Sequence, residues 1–221
     1  MRTSSTSSLI EFLRRDPELD PERPEAALWA FMVDLKSRFD PEASVRAALA
    51  ATTHVMVLYN LVNREDDRLH RVVEAAAQVV ACRCEPCEDA LRTACAVLGG
   101  HLGQVIENFA PPLPKRSLLP WRRLPPVPPG ICLSVTLALT AINLTKVTLG
   151  REKGVLTLYC LDDVAKCACF ALAAHRDPEA PEPEALPLTG ARIPWDERIT
   201  AADCEEIREV MRDAVLEWAT A

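Results

Sequence analysis

Apolar residues recur at helical spacing through the first half of the chain and give way to alternation in the second. From about Pro21 to Phe39, Leu28, Phe31, Met32, Leu35 and Phe39 fall on one stripe, the spacing that turns one face of a helix toward a core. Between Pro41 and Asn63 the period continues through Val45, Ala48, Leu49, Thr52, Val55, Met56, Tyr59 and Val62, and Ala47, Ala50, Ala51, Val57 and Leu58 widen the stripe. A stripe this broad predicts a central helix buried on most sides. Charged residues from Asn63 to Asp67 interrupt it, after which Leu69, Val72, Val73, Ala76, Val79 and Val80 resume the period to about Cys82. The expected arrangement is a helical hairpin. A fourth helix from about Pro86 presents Cys87, Leu91, Ala94, Cys95 and Leu98 and is expected to stop at Gly99-Gly100, a pair suited to a left-handed cap. A last piece turns Leu102, Val105, Ile106 and Phe109 inward, and a short helix from Ser8 to Arg15 precedes the series.

Asp40-Pro41-Glu42 supports the start of the central helix on independent grounds. Asp40 can accept from free backbone N–H groups, Pro41 stands where no donor is needed, and Glu42 faces the positive end of the helix dipole. The same Asp-Pro-Glu tripeptide at 16–18, 20–22 and 177–179 is helix punctuation and not a repeat.

After residue 130 the period changes. Ile131, Leu133, Val135, Leu137 and Leu139 alternate with Cys132, Ser134, Thr136, Ala138 and Thr140, a Thr- and Val-rich strand pattern. A helix competes for 131–144, because Leu133, Leu137, Ala141 and Leu144 also share a face. Val147 to Leu149 and Val155 to Leu161 flank a polar loop with glycine at both ends, Gly150 and Gly154, which predicts a β-hairpin. Asp162 then caps a helix to about His175, an acidic Pro-rich loop covers 177–187, and Thr200 opens a closing helix that buries Cys204, Ile207, Met211, Ala214 and Trp218. The fold class expected is mainly α: a bundle-like helical body over 1–110, a Pro-rich basic linker over 111–129, and a small α+β portion over 130–221, with its hairpin and two helices, that could pack on the body as one domain.

Composition narrows the function classes. The chain has 221 residues, 49% of them hydrophobic, enough for a sizeable core. A net charge of −7 repels phosphate backbones and anionic lipid, so nucleic acid is an unfavoured partner. Met1 to Ser8 lack the apolar run of a secretory signal, and the uncharged stretch 124–145 loses its first residues to prolines 125, 126, 128 and 129, which leaves it short of a membrane span. An intracellular place, cytoplasm or nucleus, is expected. There the nine cysteines are reduced thiols and not a disulfide framework. The arginine-skewed, Ala- and Pro-rich, Gly-poor usage resembles the output of a GC-rich genome and is compatible with a viral accessory protein.

Cys82, Cys84, Cys87 and Cys95 form the cluster with metal-ligand residue types, spaced C-x-C-x2-C-x7-C. The spacing favours packing for Cys87 and Cys95, which share a helical stripe with Leu91 but lie about 12 Å apart on a straight helix. The alternative is zinc held by Cys82, Cys84 and Cys87 with a distant fourth ligand. Cys84-Glu85-Pro86-Cys87 also offers C-x-x-C, without the βαβ surroundings of a redox site. Cys167 and Cys169 would point apart on a helix, and Cys132, Cys160 and Cys204 sit in apolar patterns. His54, His70, His101 and His175 are scattered, with His54 expected as a core imidazole and Glu65-Asp66-Asp67 as solvated charge. No phosphate loop, nucleophile elbow or dinucleotide fingerprint occurs, so no catalytic residue is assigned.

The stretch PPLPKRSLLPWRRLPPVPP offers Trp121 with Lys115, Arg116, Arg122 and Arg123 as an interaction arm, beside its plainer reading as a linker. The function expected from these features is a non-enzymatic protein-interaction module, adaptor or accessory protein, its partner a protein or a second copy. A zinc-stabilised domain with local nucleic-acid contact, and an enzyme with a dispersed active site, are the alternatives.

Overall fold

Asp40 accepts a hydrogen bond from the Glu42 backbone N–H at 2.8 Å, with Pro41 in the first turn, and so starts the helix as the sequence predicts. The computed structural model describes residues 3–14, 23, 25–109, 131–150, 155–176 and 198–221. Eight helices occur among them: α1 (Thr3–Leu13), α2 (Glu25–Arg38), α3 (Pro41–Val62), α4 (Arg68–Cys82), α5 (Glu85–Phe109), α6 (Ile131–Leu149), α7 (Val155–Arg176) and α8 (Ala201–Thr220). The Lys115, Arg116, Trp121, Arg122 and Arg123 arm lies outside the described residues, as does the acidic loop over 177–187.

Two helices form the centre. α3 meets α2, α4, α6, α7 and α8, and α6 meets α3, α4, α5 and α7. Ala43, Ala47, Ala48 and Ala51 are fully buried on α3, small enough to let neighbouring backbones approach. One hydrophobic core joins the helices before residue 110 to those after residue 130, with Leu28, Val55, Leu144 and Ile207 all in it.

The α+β expectation for 130–221 is corrected. No strand occurs among the described residues, and both flanks of the expected hairpin are helical: 131–149 is α6 and 155–176 is α7. The physical reason is burial on every side. Leu133, Val135 and Leu137 are buried, and so are Thr136, Ala138 and Thr140 from the other half of the alternation. A two-sided burial erases the contrast on which period-2 reading depends. Threonine is tolerated there because its hydroxyl bonds the carbonyl one turn back: Thr140 Oγ1 donates to Thr136 O at 2.9 Å and Thr145 Oγ1 to Ala141 O at 3.1 Å. Asp162 is likewise no helix cap. It sits two turns inside α7 and pairs with Lys166 at 2.7 Å, both side chains almost fully buried.

A second correction concerns Gly99-Gly100. α5 runs through the pair to Phe109, and a Cβ added at Gly99, Gly100 or Gly103 would meet nothing within 4 Å. Leu91, Leu98 and Leu102 are buried on one face at a seven-residue interval and a half-interval, and their packing carries the helix past a pair that costs about 1 kcal/mol per glycine in propensity.

Candidate metal centre

The corner between α4 and α5 that carries the cysteines spans six residues, Cys82 to Cys87. α4 ends at Cys82, and Arg83 takes the left-handed conformation (φ 55°, ψ 32°) while its N–H bonds Val79 O at 3.0 Å. Arg83 is the single non-glycine residue with positive φ among those described. An arginine in that region costs about 1–2 kcal/mol relative to glycine. Its side chain contributes an offset by pairing with the buried carboxylate of Glu42, which also accepts from Arg46 at 2.8 Å. Arg46 in turn lies over the Trp218 ring of α8, 5.3 Å from its centroid. The corner is thereby tied to the first turn of α3 and the last turn of α8.

The left-handed residue reverses the chain, so Cys82 and Cys84 project into the same space and the first turn of α5 brings Cys87 to them. The Cys87 and Glu88 N–H groups donate to Cys84 O at 3.1 and 3.2 Å and fix that turn. Cys82 Sγ lies 2.8 Å from Cys84 Sγ and 3.0 Å from Cys87 Sγ, and all three sulfurs fall within 4.8 Å of one another. A tetrahedral zinc with bonds of about 2.3 Å separates its sulfurs by about 3.8 Å, so a modest outward movement of the three side chains seats an ion. Cys82 is exposed, and Cys84 and Cys87 are half-buried.

Shared hydrogen bonds split the thiols. Donation from the Cys84 and Cys87 thiols, and from the Cys84 backbone N–H, lowers the pKa of Cys82. Cys87 is pushed up to about 12, chiefly because its proton is held against Cys82 and Cys84. Three converging sulfurs, one already inclined to ionise, make a soft donor set suited to zinc or Cu(I) and not to magnesium or calcium.

Of the sequence-derived candidates, Cys82, Cys84 and Cys87 come together and Cys95 does not. It is eight residues farther along α5 and half-buried, as Cys87 is, so neither has the fully buried place expected for a packing cysteine. Cys167, Cys169 and Cys204 are buried. The thiols of Cys169 and Cys204 meet across the α7–α8 contact, and that contact, then burial, raises the pKa of Cys169. His54 is not a core imidazole: its ring is partly exposed and Nε2 stands 2.7 Å from Glu206 Oε1 of α8. No helix among the described residues is long and apolar enough to cross a membrane.

Asp66 is a residue that the sequence reading missed, having taken 65–67 for solvated charge. Its carboxylate accepts from the Tyr59 hydroxyl, from Arg68 Nε at 2.8 Å and from the Arg68 N–H at 3.0 Å, and so ties the end of α3 to the start of α4. Burial works to raise its pKa, but the Arg68 and Tyr59 hydrogen bonds outweigh it and bring the value down to about 2. A depressed carboxylate stabilises the fold above its unfolded pKa, and that contribution is lost as pH falls through the folded value. Urea unfolding of the wild type and Asp66→Asn between pH 7 and pH 2 is expected to show a difference on the order of 2 kcal/mol at neutral pH that shrinks below about pH 5. A constant difference across that range would count against the Asp66 network.

No protein-family model matches the chain, and no curated protein or solved structure shows significant similarity to it. The corner therefore rests on its own chemistry.

Proposed function

We propose that the protein is a non-enzymatic helical interaction module whose α4–α5 corner is held by one thiophilic metal ion of the zinc class. The convergence of Cys82, Cys84 and Cys87 around the left-handed Arg83 carries the reading. An ion there acts as a staple. It joins two helices that also touch along their lengths, and through Arg83 and Glu42 it fixes the corner against α3. Its contribution is folding free energy, because the unfolded chain does not hold three sulfurs in place.

Full-length protein purified under reducing conditions without chelator is expected to take up one equivalent of Zn²⁺ in native mass spectrometry. At a free-ion concentration a hundredfold above Kd the gain is about 2.7 kcal/mol, or a rise of roughly 5–10 °C in Tm for a chain of this size. Cys87→Ser should lose both the mass increment and the Tm rise, while Cys95→Ser keeps them. Metal-free spectra and a Tm indifferent to zinc would end this reading.

The interaction role is supported by Val57 and Leu61, each 59% exposed and one turn apart on α3, an apolar pair that folding leaves in water. The same spectra test it. A dimer of the wild type that Val57→Glu/Leu61→Glu dissociates would support a face for a second copy, and a dimer indifferent to that variant would remove this pair from the interface.

A further inference from the structure

From the placement of every cysteine and histidine in the chain, we infer that the metal corner is a three-thiolate site with an open fourth position, and that the position takes a neutral imidazole nitrogen supplied from outside this chain. The inference rests on the metal reading above and specifies its ligand.

Zinc in structural sites is four-coordinate, and nitrogen or sulfur supplies the ligands in nearly all of them. The chain has nine cysteines and four histidines, and residues 1–2, 15–22, 24, 110–130, 151–154 and 177–197 contain none of them. Every candidate nitrogen donor therefore belongs to the described part of the protein, and Cys132, the one cysteine whose side chain is not described, lies on α6 two residues before Ser134, whose hydroxyl accepts from Asn63 at 2.8 Å by the end of α4 remote from Cys82. Among the described residues, no fourth histidine nitrogen, cysteine sulfur or carboxylate oxygen joins the three sulfurs within 4.8 Å of one another. The individual positions agree. Cys95 is eight residues beyond Cys87 on α5 and His101 fourteen, about 12 and 21 Å along a helix. His70 stands near Asn60 at the opposite end of α4 from Cys82, and His54 is engaged with Glu206 of α8. The five remaining cysteines lie on α6, α7 and α8.

Exposure makes the open position reachable. Cys82 and its neighbours Ala81, Arg83, Glu85 and Pro86 are all exposed, so solvent reaches the cluster from the Cys82 side. Charge selects the donor. Three thiolates around a divalent ion leave a net single negative charge, and Glu85 and Glu88 stand in the first turn of α5 beside it. The nearby cations are engaged: Arg83 pairs with Glu42, and Arg92 with Glu88 and Asp89. A fourth thiolate or carboxylate would add negative charge to an already anionic corner, whereas imidazole adds none and is a preferred zinc ligand. The source is either a histidine on another protein molecule or a free imidazole compound, and both present the same nitrogen.

Cobalt reads the ligand set directly. Full-length reduced protein loaded with Co²⁺ is expected to show thiolate-to-cobalt charge transfer at the intensity of three thiolates, abolished in Cys87→Ser, which no longer holds the metal, and unchanged in Cys95→Ser. Imidazole should shift the visible d–d bands and leave the charge-transfer intensity in place, and 2-mercaptoethanol at the same concentration should shift them less. A d–d envelope that changes with protein concentration alone would assign the nitrogen to a second copy; one that changes only on adding imidazole would assign it to a foreign source. Charge transfer at four-thiolate intensity, bands indifferent to imidazole, or a larger response to the thiol would overturn the open-position inference and leave the metal staple standing. No cobalt spectrum at all would instead remove the metal reading beneath it.

Discussion

Thr140→Asp is expected to abolish the folded state, with loss of the cooperative urea transition and of native helicity in far-UV circular dichroism. Thr140 is 0% exposed at the middle of α6, a helix enclosed by α3, α4, α5 and α7. Its hydroxyl is accommodated by the Thr136 carbonyl, which accepts from it at 2.9 Å. An aspartate offers no donor to that carbonyl and brings a charged carboxylate into a fully buried place. Several kcal/mol of desolvation follow, against a total stability of about 5–15 kcal/mol for an ordinary domain. The control is Lys146→Ala on the same helix, where the side chain is exposed and only its bond to Asn143 at 3.1 Å is lost; a change within about 0.5 kcal/mol is expected. A strand over 131–140 would have put Thr140 on the solvent face beside Ser134 and Thr136, and a charge there would be tolerated. Retention of a wild-type transition by Thr140→Asp would therefore contradict the placement of α6.

The same residues explain how far the fold was legible in the sequence. In α4, the buried residues Leu69, Val72, Val73, Ala76, Val79 and Val80 fall on one face and charged residues on the other, so the 3.6-residue period is visible. α3 announced itself through Asp40-Pro41-Glu42, because capping is local and needs no knowledge of the neighbours. α6 has no polar face to contrast with its apolar one. Its Thr and Leu alternate by chance of composition, β-branched residues lend the strand reading weight, and only the helices packed around it decide the outcome. The first two turns of α7 failed for a related reason: glycines at 150 and 154 looked like hairpin punctuation, and the chain instead re-enters a helix at Val155. At Gly99-Gly100 a sound local signal lost to the burial of Leu91, Leu98 and Leu102.

The candidate site was legible as a set of residues but not as a geometry. C-x-C-x2-C names three donors, yet a helix through Cys82 to Cys87 would scatter them and a turn gathers them. The gathering depends on the left-handed Arg83, where sequence rules look for glycine or asparagine. Arg83 is held by an ion pair with Glu42, forty-one positions earlier in the chain, a contact that no local pattern encodes. Asp66 escaped for the same reason in reverse. A run of three acidic residues reads as solvated surface until Tyr59 and Arg68 are seen to enclose the middle one.

Asp203→Ala is expected to lower stability by about 2.5–4 kcal/mol, the sum of a lost cap of about 1 kcal/mol and lost charge-assisted hydrogen bonds of about 1.5–3 kcal/mol. Asp203 is buried in the first turn of α8, where it accepts from the Thr200 N–H at 2.7 Å and from Arg176 of α7 at 2.7 and 2.9 Å. The Thr200 hydroxyl accepts in return from the Asp203 N–H and completes a capping box. Burial favours the neutral acid, but Arg176 and Thr200 together hold the pKa of Asp203 below the usual carboxylate range. The contribution is therefore present above the unfolded pKa and fades as pH falls through the folded one. One carboxylate thus fixes both the start of α8 and its angle against α7, and α8 carries Ile207, Met211 and Val215 into the core at full burial. Arg176→Ala should cost less than Asp203→Ala, because the cap survives, although the carboxylate left behind is buried with Thr200 as its remaining partner. The double variant should cost less than the sum of the singles by about 1–2 kcal/mol, the coupling expected for neighbours that share hydrogen bonds. Additive losses in that cycle would mean that the α7–α8 contact is held by packing alone, with the ion pair a passenger on it.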